Sequence, residues 1–210
     1  MTDPEDLTAR ARIRDAALRH FGEHGFDRAT IRGIAETAGV SSGLVRHHFG
    51  SKEALREACD AHLAKALNNL NDQVRADESP GGVNYVAVAG AVFGPYRSYV
   101  LRALTEGRAA PLFDKLVELG AQWLAEADEK RADPPEVPRQ ARATVGAAMA
   151  LSVAVLHEHV SRGLGVDVFS PEGADLLART LLEVYSHPYL SPEEAAEIRS
   201  RLPEGGESSR

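Results

Sequence analysis

The chain has 210 residues, 43% of them hydrophobic and 26% charged, so it can close a substantial core and is not compositionally disordered. A single cysteine, Cys59, excludes an intramolecular disulfide and a cysteine-rich zinc site. The net charge of −7 excludes a uniformly basic coating protein, yet residues 28–56 hold five Lys/Arg against only Glu36 and Glu53, a local +3.

Residues 1–8, with Pro4 and three acidic side chains, are expected to form a frayed arm. From Thr8 the spacing of Ile13, Ala16, Ala17 and Phe21 predicts a first amphipathic helix, ended by Gly22 and Gly25. Ile31, Ile34, Ala35 and Ala38 then recur at helical spacing behind Thr30, whose hydroxyl suits an N-cap. Gly39 closes that short helix, because glycine takes the left-handed conformation without a Cβ clash. Ser41 or Ser42 caps a second short helix, with Leu44 and Val45 inward and Ser42, Gly43, Arg46 and His47 outward. Two short helices joined by a glycine-bearing turn make a helix-turn-helix. The polar, partly cationic outer face of the second suits base edges and phosphates in the major groove. The alternative is an ordinary helical hairpin in a bundle with a solvated polar face. Phe21, Phe26 and Phe49 are expected to fill the small core beneath.

Ser51 caps a long helix over residues 52–75, which links this head to the rest of the chain. Lys52 lies in its first turn, where a cation is disfavoured unless an anion is near, which points to a phosphate contact, the alternative being a merely solvated lysine. The segment ADESPGG, residues 76–82, is a turn-rich break. Beyond it, helices are predicted at 83–93, 96–106, 111–130, 139–161, 171–187 and 192–201, the penultimate one capped by Ser170 with proline first. Gly94-Pro95 and RADPPEVP (131–138) interrupt the series, and residues 204–210 form a tail expected to be mobile. Neither a repeat nor a strand pattern occurs, so the fold class is all-α.

The run FGEHGFDRATIRGIAETAGVSSGLVRHHFGSKEALREAC, within residues 11–55 and just beyond, closely resembles the DNA-binding domain of the tetracycline-repressor (TetR) family of bacterial transcriptional regulators. The joint order of HFGEHGFDRAT, IAETAGVSSG and HHFGSKEAL carries the resemblance over about a fifth of the chain. One departure is that the family often has two tyrosines where this chain has Arg46 and His47, which adds positive charge at the DNA surface. The resemblance implies a three-helix DNA-binding domain over residues 1–56 and a larger helical effector-binding and dimerisation domain over 57–203. Candidate DNA contacts are Thr30, Arg32, Ser41, Ser42, Gly43, Leu44, Arg46, His47, His48 and Lys52. In that family the two penultimate long helices pair with their copies, a role that falls by order and character on residues 139–161 and 171–187. A homodimer would hold two heads over a roughly palindromic operator in double-stranded DNA. The body usually encloses a small effector, for which Phe93, Tyr96, Tyr99, Phe113, Trp123, Met149 and His157 are the candidate lining residues, core packing being the plainer reading for each. No Lys or Arg lies between Ala143 and Leu156, so a largely apolar effector is expected.

The sequence His157-Glu158-His159 does not make a metal site, since residues two apart on a helix point to different faces. No HExxH, P-loop, GxGxxG, GxSxG or paired-cysteine pattern occurs, so neither an enzyme nor a cofactor is expected. The longest apolar run, Ala143–Leu156, is shorter than the ~20 residues needed to span a bilayer, and MTDPEDLTARAR lacks a signal-peptide pattern. A soluble, cytoplasmic regulator is the expectation, most simply a repressor released by its effector. An all-α ligand-binding or adaptor protein without DNA-binding activity is the runner-up.

Overall fold

A computed structural model describes residues 4–78, 83–187 and 189–202. The first helix, α1 (Pro4–His24), starts at Pro4 rather than Thr8, so the expected arm is helical from its fourth residue. Proline suits a helix start, because the N–H it lacks has no helical acceptor there. Ile13, Ala16, Ala17, Leu18 and Phe21 are all essentially buried on its inner side. Gly22 remains inside α1, and the helix ends at Gly25, whose φ of 79° belongs to the left-handed region. Gly22 has a different role. A Cβ there would come within 2.7 Å of the Tyr99 backbone nitrogen, so glycine lets two helices meet backbone to backbone.

Helices α2 (Ile31–Ala38) and α3 (Ser42–Phe49) follow, and then α4 (Lys52–Ala76), which runs without a break through the expected domain limit at residue 56. Leu55, Cys59 and Leu63 of α4 are fully buried against the head, and the same core continues to Tyr99 and Leu112. One apolar core therefore spans head and body. The expected break at 76–82 begins after α4, although residues 79–82 lie outside those described.

In the body, α5 (Tyr85–Phe93) is capped by Asn84, a 3-10 turn at Gly94–Tyr96 carries the Pro95 interruption, and α6 (Arg97–Thr105) follows. Helix α7 (Ala110–Glu129) packs along α4 and along α8 (Arg139–Val155), with Val117, Ala143 and Ala147 at the second contact. The predicted continuous helix over 139–161 is in fact two. It breaks at Leu156 and resumes as α9 (His157–Leu164), bent by 72°. Side chains bond to backbone carbonyls on the α8 side of the break. Ser152 Oγ donates to the Met149 carbonyl (2.6 Å), and His157 Nδ1 donates to that of Ala154 (3.0 Å). His157 then stacks on Phe169 at 5.2 Å, docking α9 onto the following loop. Helix α10 (Pro171–Ser186), capped by Ser170, lies on α5, and α11 (Pro192–Ser200) opens with a Ser191–Glu194 capping box. The expected tail, 204–210, lies outside the described residues. Among the described residues there is no β-strand, and no single helix is long and apolar enough to cross a membrane.

The α7–α8 hairpin is fastened by Asp128, which accepts from Arg142 (2.7 and 2.9 Å) and Arg139 (3.2 Å). Hydrogen bonds from Arg142, then Arg139, hold this carboxyl down at about 2. A carboxyl depressed in the folded state stabilises the fold above its unfolded value of 3.8 and loses that effect as pH falls toward 2. The stability difference between the native chain and Asp128→Asn, read by urea denaturation, should therefore be constant above about pH 5 and shrink between about pH 4 and pH 2.

Candidate nucleic-acid interface

The helix-turn-helix is built by local rules. Thr30 Oγ1 accepts from the Gly33 backbone N–H at 3.1 Å, so Thr30 is the N-cap of α2. Gly39, at φ 67° and ψ 38°, closes it with its N–H on the carbonyls of Ala35 and Glu36. Of the two serines offered by the sequence, Ser41 is the cap of α3, accepting from the Leu44 N–H at 3.1 Å. Ser51 repeats the device at α4, accepting from Ala54 N–H. Val45 and Phe49, one turn apart, are buried and pin α3 to the Ile34–Ala35 face of α2 and to α1. Leu44 and His48 flank them and are half-buried. Gly43, Arg46 and His47 lie on the opposite face and are exposed, with Ser42 half-exposed at its edge.

The cations of this region divide sharply. Arg28 donates to the His24 carbonyl at 3.0 Å, Arg32 pairs with Glu36 at 2.9 Å, and Arg56 pairs with buried Asp60 at 2.6 Å. Lys52 does not project from α4 as a phosphate ligand would. Its ammonium folds back to donate to the carbonyls of Phe26 (2.9 Å), Ala29 (3.2 Å) and Asp27 (3.3 Å), and it sits 4.5 Å over the Phe26 ring. Those carbonyls are the electron-rich partner that a cation at a helix N-terminus needs. Arg46 alone of the five makes no hydrogen bond or ion pair with any described residue. Four of the five cations are therefore held by partners within the protein, and the uncommitted one sits on the outer face of α3.

The seven body candidates are not gathered around one space. Tyr99 is buried and donates to Asp60, while Phe93 and Tyr96 pack on the core that head and body share. Phe113 belongs to the α7–α8 contact. Trp123 is 41% exposed, donates to Asn71 Oδ1 at 2.9 Å and lies under Arg75. Met149 is 56% exposed on α8, and His157 serves the α9 bend. Sequence reasoning counted Arg56 among the cations of the head but did not foresee its pairing with Asp60. A lone carboxylate on the buried side of a helix was the available signal.

Two capped short helices, the second with a solvent-facing cationic strip and an apolar anchor, define a helix-turn-helix protein of the kind that reads double-stranded DNA. Residues 13–59 match the family described as bacterial regulatory proteins, tetR family. The chain is 38% identical over 142 residues, 66% of each protein, to the HTH-type transcriptional regulatory protein RaaS of Mycobacterium tuberculosis. It is 43% identical over 54 residues, 26% of this chain and 29% of the relative, to the HTH-type transcriptional repressor AcnR of Corynebacterium efficiens. These matches thus cover 66% or less of the relatives' own lengths. Among solved structures, the fatty acid degradation regulator FadR of Bacillus halodurans shares the fold over 89% of this chain and 99% of that one, at TM-score 0.65 and 19% identity. The chain belongs to the TetR family.

Proposed function

We propose that the chain is a ligand-responsive transcriptional repressor that binds a two-fold symmetric operator as a homodimer through α3 and is released by a small, largely apolar effector. The observation that carries the reading is the exposed Gly43–Arg46–His47 strip, with Arg46 uncommitted, on a helix anchored from behind by Val45 and Phe49. Thr30, Arg32, Ser41 and Ser42 supply flanking hydroxyls and charge toward the phosphates. Leu44 and His48 support the helix from its sides. Lys52 holds the α1–α2 turn in place behind the reading surface rather than meeting the DNA.

The partner surface is argued from exposure. Val145 (59%) and Met149 (56%) on α8, and Leu182 (71%) and Tyr185 (69%) on α10, are large apolar side chains left to solvent in a single chain. A second copy is the occupant that two-fold pairing supplies. The effector belongs in the body, where Phe93, Tyr96 and Phe113 are half-buried. Ligand that favours dimers with wrongly spaced heads lowers operator affinity by its differential binding energy.

Selection from random DNA with the purified chain should enrich an inverted repeat whose mobility shift weakens steeply with salt. An adaptor would enrich nothing at any salt concentration, and that result would end the reading. Gly43 offers a sharper check. A Cβ there would meet only Ser41 Oγ at 3.7 Å, so nothing inside the protein requires glycine. Gly43→Ala should raise the melting temperature slightly, because alanine favours helix by ~0.5–1 kcal/mol. The same change should lower operator affinity by about tenfold, since the bare backbone faces the DNA.

A further inference from the structure

Arg10 lies on α1, before the matched family segment and outside the two-helix wedge. Its side chain crosses to the far end of α3. Nη1 donates to the His48 carbonyl at 2.8 Å, and the guanidinium carbon stands 4.5 Å from the centre of the Phe49 ring. The two contacts fall on the last two residues of α3, where helix carbonyls lack their own amide partners and the dipole end is negative. Two other carbonyls of that turn have backbone partners. Arg46 O accepts from Gly50 N at 2.8 Å and Phe49 O from Ser51 N at 2.9 Å.

Helix α3 has only eight residues, too few to hold a pose without outside support. Ser41 fixes its start, and Val45 and Phe49 fix its distance from the core. A buried anchor on one side still lets a two-turn helix rock about its own axis. The Arg10 bridge opposes that motion at the C-terminal end, next to His47, by tying α3 to the long and well-buried α1. We infer that Arg10 is a positioning residue for DNA recognition: it sets the angle at which α3 presents Arg46 and His47 without itself touching the DNA. The inference rests on the DNA-binding reading above.

The test uses the full-length chain and a duplex enriched from random DNA by the unmodified protein. Operator affinity is measured over a range of salt concentrations for Arg10→Ala, Arg10→Lys, Arg46→Ala and the Arg10→Ala/Arg46→Ala pair. Arg10→Ala should weaken binding about tenfold. Its dependence on salt should keep the native slope, because no phosphate contact is lost. Arg10→Lys, which retains a donor and a cation over Phe49, should recover part of the loss. The paired variant should lose less than the two single losses combined, since Arg10 acts through Arg46. A salt slope reduced by about one in Arg10→Ala would make Arg10 a direct phosphate ligand and overturn the inference. Losses that simply combine would overturn it as well, as would native affinity in Arg10→Ala. Native affinity in Arg46→Ala would instead unseat α3 as the reading helix, and failure to enrich any duplex would unseat the DNA-binding reading itself. Backbone amide exchange near His48 in the free protein should be faster in Arg10→Ala than in Arg46→Ala, and equal exchange in the two would overturn the inference.

Discussion

Arg46→Ala should lower operator affinity by roughly 10- to 100-fold, corresponding to about 1–3 kcal/mol for one good side-chain contact to a base edge. Adding His47→Ala should deepen the loss, and both variants should unfold within about 0.5 kcal/mol of the native chain. The size of the effect follows from the accounting of charge in the head. Arg28, Arg32, Lys52 and Arg56 each have a partner within the protein, so each must give up an existing contact before it meets a phosphate. Arg46 gives up none, and on the exposed face it carries no packing role that its removal would disturb. Fluorescence anisotropy on a selected duplex, beside denaturant unfolding of the same samples, separates affinity from stability. Near-native binding by Arg46→Ala would move the reading surface away from α3. Substituting Arg32, whose partner is Glu36 on the same exposed helix face, should cost less than substituting Arg46.

What the sequence revealed and what it hid differ by range. Thr30, Gly39, Ser41 and Ser51 act on backbone groups within four residues, and each does in the structure what its side-chain chemistry predicts. The burial of Val45 and Phe49 follows from a period visible in eight residues. The bend at Leu156 escaped the same reasoning, because the small apolar residues of 143–156 fit an unbroken helix equally well. At the break His157 meets the Ala154 carbonyl and the Phe169 ring, which no periodicity links to it. Lys52 was readable as a cation at a helix N-terminus, but the three carbonyls that satisfy it lie 23–26 residues earlier. Arg10 to His48, Asp60 to Tyr99 and Arg102 to Gly22 are separated by 38, 39 and 80 residues. Such pairs depend on how the helices pack, and a single chain's pattern does not carry that information.

Asp60→Ala should destabilise the chain by about 3 kcal/mol, because it removes one partner of a largely buried charge pair. Asp60 is 6% exposed on α4, receives the Tyr99 hydroxyl from α6 and pairs with Arg56 at 2.6 Å. Without the carboxylate, both the guanidinium and the phenol are stranded at the junction of head and body. Tyr99→Phe, which leaves the ion pair in place, should cost less, about 1–3 kcal/mol. Burial raises the Asp60 carboxyl, while the Tyr99 hydrogen bond and Arg56 oppose the rise. A carboxyl raised in the folded state binds its proton more tightly there than in the unfolded chain. Its stabilising effect is therefore complete below the ordinary value of 3.8 and declines as pH climbs through the folded value. Asp60→Asn should abolish that part of the pH dependence, whereas Asp128→Asn abolishes a part of opposite sign. The consequence reaches function through the same contacts. Beside this node, Arg102 of α6 donates to the Gly22 carbonyl at 2.8 Å, and the two backbones meet at Gly22. Movement of α6 should therefore reach α1 and α4, the helices that hold the reading head. Tyr99→Phe should speed amide exchange in α6 and in the final turn of α1 while leaving the caps of α2 and α3 unchanged. Exchange that rose equally across the head would show instead that the node supports global stability and carries no directed coupling.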